Sequence, residues 1–257
     1  MSESKSMCGA IPSIVDERDY AITSLISCTP RLPDRYQTEI PCTVWDQGQS
    51  SECVASSLAL IRFLQEYNQS NNRSPFSPSY VYSNREPDMY QGEGMYPREA
   101  LKIIQKYGIA PFEDFPGFFT YEEAVKRYQE KKEKLDLKAF PFRVSSYYAV
   151  SGVVEIKNTV MKLQAVSAMF PVYETLYYPD SSGTIKYDNE GLKNIKIDGY
   201  HQMTIVGWTD DNHWIVQNSW GVGYGLCGLC YIPMEYPIVE AWTAVDSITE
   251  IQFMNEV

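Results

Sequence analysis

Cys53 ends the run Gln47-Gly48-Gln49-Ser50-Ser51-Glu52-Cys53 and opens a stretch in which Val54, Ala55, Leu58, Ile61 and Leu64 recur at helical spacing. That places it in the first turn of a helix running to about Tyr67, where peptide dipoles and unpaired N–H groups favour a thiolate. A thiolate attacks carbonyl carbon well, provided an imidazole is near to take the thiol proton. The chain has 2 histidines. His201 heads an apolar strand that ends at Gly207-Trp208, whereas His213 follows a hairpin turn and reads as a surface residue. An imidazole must also be held in one orientation, and the amide of Asn218, in Asn218-Ser219-Trp220-Gly221, can do that.

Elements must bring these residues together. After a polar loop over residues 68–78, Pro97 opens a second helix with Ala100, Leu101, Ile104 and Tyr107 on its apolar stripe and Gly108 as its stop. Residues 121–138 are dense in Glu, Lys and Arg and read as a solvated helix or an inserted excursion. A further helix is expected over 153–166 and an apolar strand over 167–177. Strands over 201–208 and 213–218 flank the turn Thr209-Asp210-Asp211-Asn212, and another covers 229–233. Helices fill the first half and strands the second, an α+β pattern.

Composition narrows the function. At 257 residues the chain can bury a sizeable core, and a net charge of −11 argues against nucleic acid as a partner. No apolar run approaches the ~20 residues of a membrane span, and the first residues show no apolar leader, so a cytoplasmic or otherwise intracellular setting is expected. The 6 cysteines are irregularly spaced. The pair Cys227-Gly228-Leu229-Cys230 lacks a second ligand pair, so no metal site and no disulfide are expected.

Four blocks in order, Gln47-Gly48 through Cys53, Gly94-Met95-Tyr96-Pro97, His201 through Gly207, and Asn218-Ser219-Trp220-Gly221, resemble the papain-like cysteine peptidases. The usual signature has Cys-Gly-Ser before the nucleophile and an aromatic after it. Here Ser50-Ser51-Glu52 precede Cys53 and Val54 follows, and the position of the family disulfide partner, near Gly92, is not cysteine. With Arg18-Asp19-Tyr20 and Asp46-Gln47-Gly48-Gln49, the chain looks more like the bacterial, archaeal and viral branch, which makes a virion another possible location.

The resemblance implies a two-lobe fold, a helical left lobe and a β-barrel-like right lobe meeting at a cleft. Residues 35–140 would form the first lobe, with a charged excursion near 120–138, and 141–257 the second. It implies catalysis by Cys53, His201 as base then acid, Asn218 as the orienting group shielded by Trp220, and Gln47 with the Cys53 N–H as oxyanion hole. Tyr96, Pro97, Thr175 and Gln202, with Trp220, would contact a protein or peptide substrate. No cofactor is required, and a monomer is expected. A thiol acyltransferase or amidase on the same site, or a silent peptide-binding homologue, are the alternatives. Glu52 would put a charge beside the nucleophile. Residues 1–34, too few for a folded inhibitory domain, are expected to form a strap anchored by Ile11, Ile14, Val15, Tyr20, Ile22, Leu25 and Ile26; the rival is a plug lying in the cleft.

Overall fold

A computed structural model describes residues 8–27, 31–41, 44–86, 92–192 and 195–254. Its central element is helix α1, Cys53–Ser70, buried without a break from Cys53 to Gln65. A helix covered on all sides needs apolar or small residues all round, and Ala55, Ser56, Ser57 and Ala59 let neighbours approach closely. α2 (Pro78–Ser83) and α3 (Pro97–Tyr107) pack against it, and α4 (Tyr121–Ala139) packs on α2. Pro97 occupies the first turn of α3 and Gly108 follows its end. The charge-dense segment is a full helix: α4 is capped by Thr120 and turns Ala124, Tyr128, Leu135 and Ala139 inward, with Tyr128 edge-on to Tyr80 of α2.

The second half is an antiparallel sheet of β1 (Tyr36–Gln37), β2 (Ser146–Ala149), β3 (Val166–Pro171), β4 (Tyr200–Trp208), β5 (His213–Gln217), β6 (Leu229–Pro233) and β7 (Glu240–Val245). The spatial order is β2-β7-β3-β4-β5-β6, with β1 paired to the end of β4. β1 crosses so close to Gly207 that a Cβ there would overlap the Tyr36 carbonyl, which requires the glycine. The sheet does not close among the described residues: β2 and β6 are its ends. The right lobe is thus barrel-like only loosely: an open antiparallel sheet, covered by α5 (Gly152–Leu163).

Other boundaries also differ from expectation. The strand expected over 167–177 stops at Pro171 and is followed by a short helix, α6 (Glu174–Tyr177). A further turn of helix, α7 (Asn189–Leu192), falls in the expected loop, and α8 (Ser247–Met254) follows the last strand. Of the proposed anchors, Ile22 and Ile26 are buried in the core under the sheet and Leu25 packs against it. Ile11 packs against the helical core, whereas Ile14, Val15 and Tyr20 lie 77%, 90% and 70% exposed, and Ile14 and Tyr20 are held through their carbonyls by Arg98 and the Ala149 N–H.

Where α1 meets the sheet, hydroxyls line the contact. Ser57 Oγ lies 2.8 Å from both Ser167 Oγ and Thr204 Oγ1, and it donates to the Met203 carbonyl at 3.0 Å. Deeper along α1, the buried Arg62 guanidinium donates to Gln65 at 2.6 Å and pairs with Glu66 at 2.7 Å and Asp246 at 3.5 Å. A buried charge is tolerable only with such partners.

Candidate active site

Cys53 is the first residue of α1 and is fully buried. His201 and Asn218 come from the sheet: His201 is the second residue of β4, opposite Phe170, and Asn218 directly follows β5. His201 Nε2 and Asn218 Oδ1 are 2.7 Å apart. The Ser219 N–H donates to the same Oδ1 at 2.7 Å, which identifies that atom as the acceptor oxygen. His201 Nε2 must therefore carry the hydrogen of the neutral ring, and Nδ1 presents a lone pair. Nδ1 is buried without a hydrogen-bond partner among the described residues. A base with its tautomer fixed and its lone pair unengaged is what proton abstraction needs.

Trp220 stacks on the His201 ring at 4.4 Å between centroids, and Tyr177 of α6 stacks on Trp220 at 5.3 Å. His201 and Asn218 beside these rings are both buried. Gln47 is buried on the loop before α1; its Nε2 donates to the Ser50 carbonyl at 2.6 Å, and its Oε1 accepts from Ser219 Oγ at 2.5 Å. The Gln47 N–H donates to the Ser219 carbonyl at 2.8 Å. The loop preceding the cysteine and the loop carrying the asparagine are thereby tied together. Ser219, part of the motif but given no role from sequence, is one of the ties.

The N-terminal segment lies across this centre. The Ala10 N–H donates to the Tyr200 carbonyl at 3.3 Å, the Ile11 N–H to Met95 at 3.0 Å, and the Met95 N–H to Gly9 at 2.8 Å. Gly9–Ile11 thus runs between the residue before His201 and the residue before Tyr96. A Cβ on Gly9 would overlap the Ser51 carbonyl, two residues from the nucleophile, so only glycine seats there. The rest of the segment is fastened outside: the Ser13 N–H donates to Glu240 at 2.8 Å, and Arg98 pairs with Asp19 at 3.1 Å and donates to the Ile14 carbonyl.

Coverage sets the electrostatics. Burial pushes the Cys53 thiol up to about 12, although the N–H groups of Gln202 and Gly9 act in the opposite sense. Burial likewise pushes His201 down to about 4, against the raising effect of its Asn218 bond. In this arrangement the pair is a neutral thiol and a neutral imidazole.

The expected substrate contacts are distributed unevenly. Tyr96 precedes α3 and Pro97 is its buried first residue, on the wall where Ile11–Ser13 lies; the Arg98 N–H donates to Ser13 Oγ at 3.3 Å. Gln202 is placed elsewhere. Strand alternation turns it away from the His201 face, and its amide donates to Ser167 Oγ at 2.7 Å in the hydroxyl contact under α1. Thr175 sits half-buried in α6, two residues from Tyr177. His213 Nδ1 lies 3.2 Å from Asp211, on the hairpin. Cys227 is exposed and Cys230 buried; Cys8, Cys53, Cys227 and Cys230 are unbridged, and no cluster fit for a metal ion occurs among the described residues. Cys28, Cys42 and the region around Tyr90 lie outside those residues. No described helix is long and apolar enough to cross a membrane.

The sequence model described as "Papain family cysteine protease" matches residues 34–240. An uncharacterized peptidase C1-like protein of Acanthamoeba polyphaga mimivirus is 27% identical over 203 residues, 74% of this chain and 64% of that protein. Cathepsin B-like cysteine proteinase 3 of Caenorhabditis elegans is 29% identical over 109 residues, 41% of this chain and 27% of its own. The chain thus spans less than two thirds of these curated relatives. Among solved structures, xylellain, a cysteine protease from Xylella fastidiosa, superposes with a TM-score of 0.80 at 23% identity, covering 96% of this chain and 98% of that one. Procathepsin L 3 of the Tenebrio molitor larval midgut gives 0.69 at 19% identity, covering 89% and 76%.

Proposed function

Because the chain belongs to the papain family of cysteine proteases, we propose that it hydrolyses peptide bonds through an acyl-enzyme on Cys53. The observation that carries this reading is the His201–Asn218 bond with its acceptor oxygen fixed by Ser219, which leaves Nδ1 as a buried, unengaged base. His201 takes the Cys53 proton at Nδ1, and the sulfur attacks the scissile carbonyl carbon. The Cys53 N–H, at the start of α1, and the Gln47 amide stabilise the resulting oxyanion. Collapse breaks the C–N bond as His201 returns the proton to the leaving amine. Water, deprotonated by His201, then releases the acid.

The same reading makes the structure a latent form. Gly9–Ile11 occupies the ground between Met95 and Tyr200 where a peptide would reach Cys53, and a neutral thiol–imidazole pair is a poor nucleophile. The four unbridged cysteines favour a reducing, intracellular setting. The decisive experiment compares peptide-library cleavage by the wild type and Cys53→Ala after the N-terminal segment is displaced. Cleavage lost in the variant supports the reading; cleavage retained by Cys53→Ala overturns it. Adding a competing amine, and finding the acyl group on water rather than on the amine, separates hydrolysis from acyl transfer.

A further inference from the structure

The residue before the nucleophile is a fully buried glutamate that makes no ion pair among the described residues. Glu52 lies at the start of α1, and its carbonyl accepts the Ser56 N–H at 2.8 Å. Its carboxyl meets the start of α2 and the loop before α4. Ser79 Oγ lies 2.9 Å from Oε1 and 2.8 Å from Oε2, and the Phe119 N–H donates to Oε1 at 3.0 Å. Ser79 Oγ is also 2.8 Å from the Gly117 carbonyl. A hydroxyl has one hydrogen, and here it faces a carbonyl and a carboxyl. Were Glu52 ionised, Ser79 could serve the carbonyl or the carboxylate but not both, and a fully buried charge would be left to the Phe119 N–H and the Ser50 hydroxyl. With Glu52 protonated, every contact is made: its O–H donates to Ser79 Oγ, Ser79 donates to Gly117, and Phe119 donates to the remaining carboxyl oxygen.

The surroundings favour that assignment. From its own helix the titratable neighbour is Cys53, and from α2 it is Tyr82, itself uncharged. Residues 115–119 bring no titratable side chain, and residues 47–51 only amides and hydroxyls, with Ser50 Oγ accepting the Glu52 N–H at 3.2 Å. Arg85 is engaged with the Gly92 and Gly94 carbonyls and with the Tyr121 ring. Burial pushes the Glu52 carboxyl up to about 8, the Phe119, Ser79 and Ser50 bonds opposing it.

We propose that Glu52 is a positioning residue held as a neutral carboxylic acid, which joins the start of α1 to α2 and the 117–119 loop, and whose ionisation switches off the adjacent thiol. This rests on Cys53 being the nucleophile. A neutral Glu52 spares the thiolate a negative neighbour and leaves the helix N-terminus free to stabilise it. On losing its proton, Glu52 opposes the Cys53 thiolate directly and breaks the donor chain that fixes the loop. Alkaline pH, which ordinarily helps a thiol, should here oppose it.

Two readouts on the full-length chain test this. In infrared spectra from pH 6 to 10, the wild type should show a buried protonated-carboxyl band, absent from Glu52→Gln, that disappears with a midpoint near pH 8. In parallel, iodoacetamide labelling of Cys53 should be measured by peptide mapping over the same range. The ratio of wild-type to Glu52→Gln rates should fall about tenfold across that midpoint, because the amide keeps the donor chain and cannot ionise. Absence of the band at pH 6, or a ratio independent of pH, overturns the proposal. If Glu52→Gln does not fold, the wild-type band decides alone. Failure of the nucleophile reading looks different: Cys53 would label no faster than Cys227 at any pH even with the cleft open, while the band would still report the state of Glu52.

Discussion

Replacing Gly9 by Val should convert the latent chain into a reactive one without touching the active-site residues. The new Cβ would overlap the Ser51 carbonyl, so the segment cannot seat, while Ile22 and Ile26 keep the rest of the N-terminal region docked in the sheet core. The ceiling on the magnitude follows from the burial of Cys53, taken as wholly relieved when the segment leaves. Its thiol stands at about 12 against an ordinary 9.0, a difference of 3 units. That corresponds to ~4 kcal/mol and a ~1,000-fold smaller thiolate population at neutral pH. A thiolate of lower pKa is intrinsically less nucleophilic, and a Brønsted coefficient of ~0.45 returns ~25-fold of that gain. The net increase in labelling is then about 40-fold, before improved access of reagent is counted. The assay is the second-order rate of iodoacetamide labelling at Cys53 at pH 7, read by peptide mapping, with Cys227 as an internal exposed control. A Gly9→Val chain with unchanged melting temperature and a Cys53 rate within twofold of wild type would refute the reasoning.

Other expectations concern the site and its support. Gln47→Ala should lower kcat by ~100- to 1,000-fold with little change in KM, as expected for an oxyanion donor; a loss confined to KM would point to a substrate contact instead. Asn218→Ala should lower kcat/KM by about tenfold or more, since it removes the bond that fixes the His201 tautomer; an unchanged rate would show that Trp220 alone orients the ring. For Asp246, burial raises the carboxyl but the Thr249 N–H and Arg62 outweigh it, holding it below 3.8. Its stabilisation is therefore full above pH 3.8 and lost as pH falls through the lower folded value. Urea unfolding below pH 4 should be less pH-dependent in Asp246→Asn than in wild type, and equal slopes would exclude the linkage.

The groups proposed to react were legible as candidates because their chemistry is written in residue types: a helix-start cysteine, few histidines and an asparagine in an apolar strand region. What surrounds them was less so. Nothing in the sequence distinguishes Gly9 from any other glycine; its role arises from an approach to Ser51 that only the folded chain creates. The side chains of Ile14, Val15 and Tyr20 were misread as anchors because apolarity alone does not say which way a strap faces. β7 escaped notice since Glu240–Val245 is buried on both faces from Ala241 onward and so shows no alternation. Gln202 was assigned by its neighbour in sequence, yet a strand sends adjacent side chains to opposite faces. Glu52 read as a charge; only its full burial and the single hydrogen of Ser79 reveal it as an acid.

The position of β7 also bears on when this chain can begin to act. β7 is the last strand in sequence, but in the sheet it lies between β2 and β3, pairing antiparallel with both. Until residue 245 has left the ribosome, β2 has no partner in the sheet and β3, which positions β4 and its histidine, is an open edge. Cys53 emerges nearly two hundred residues earlier, onto a helix whose burial awaits that sheet. The order of synthesis thus leaves the sheet that carries His201 and Asn218 incomplete until its final strand inserts.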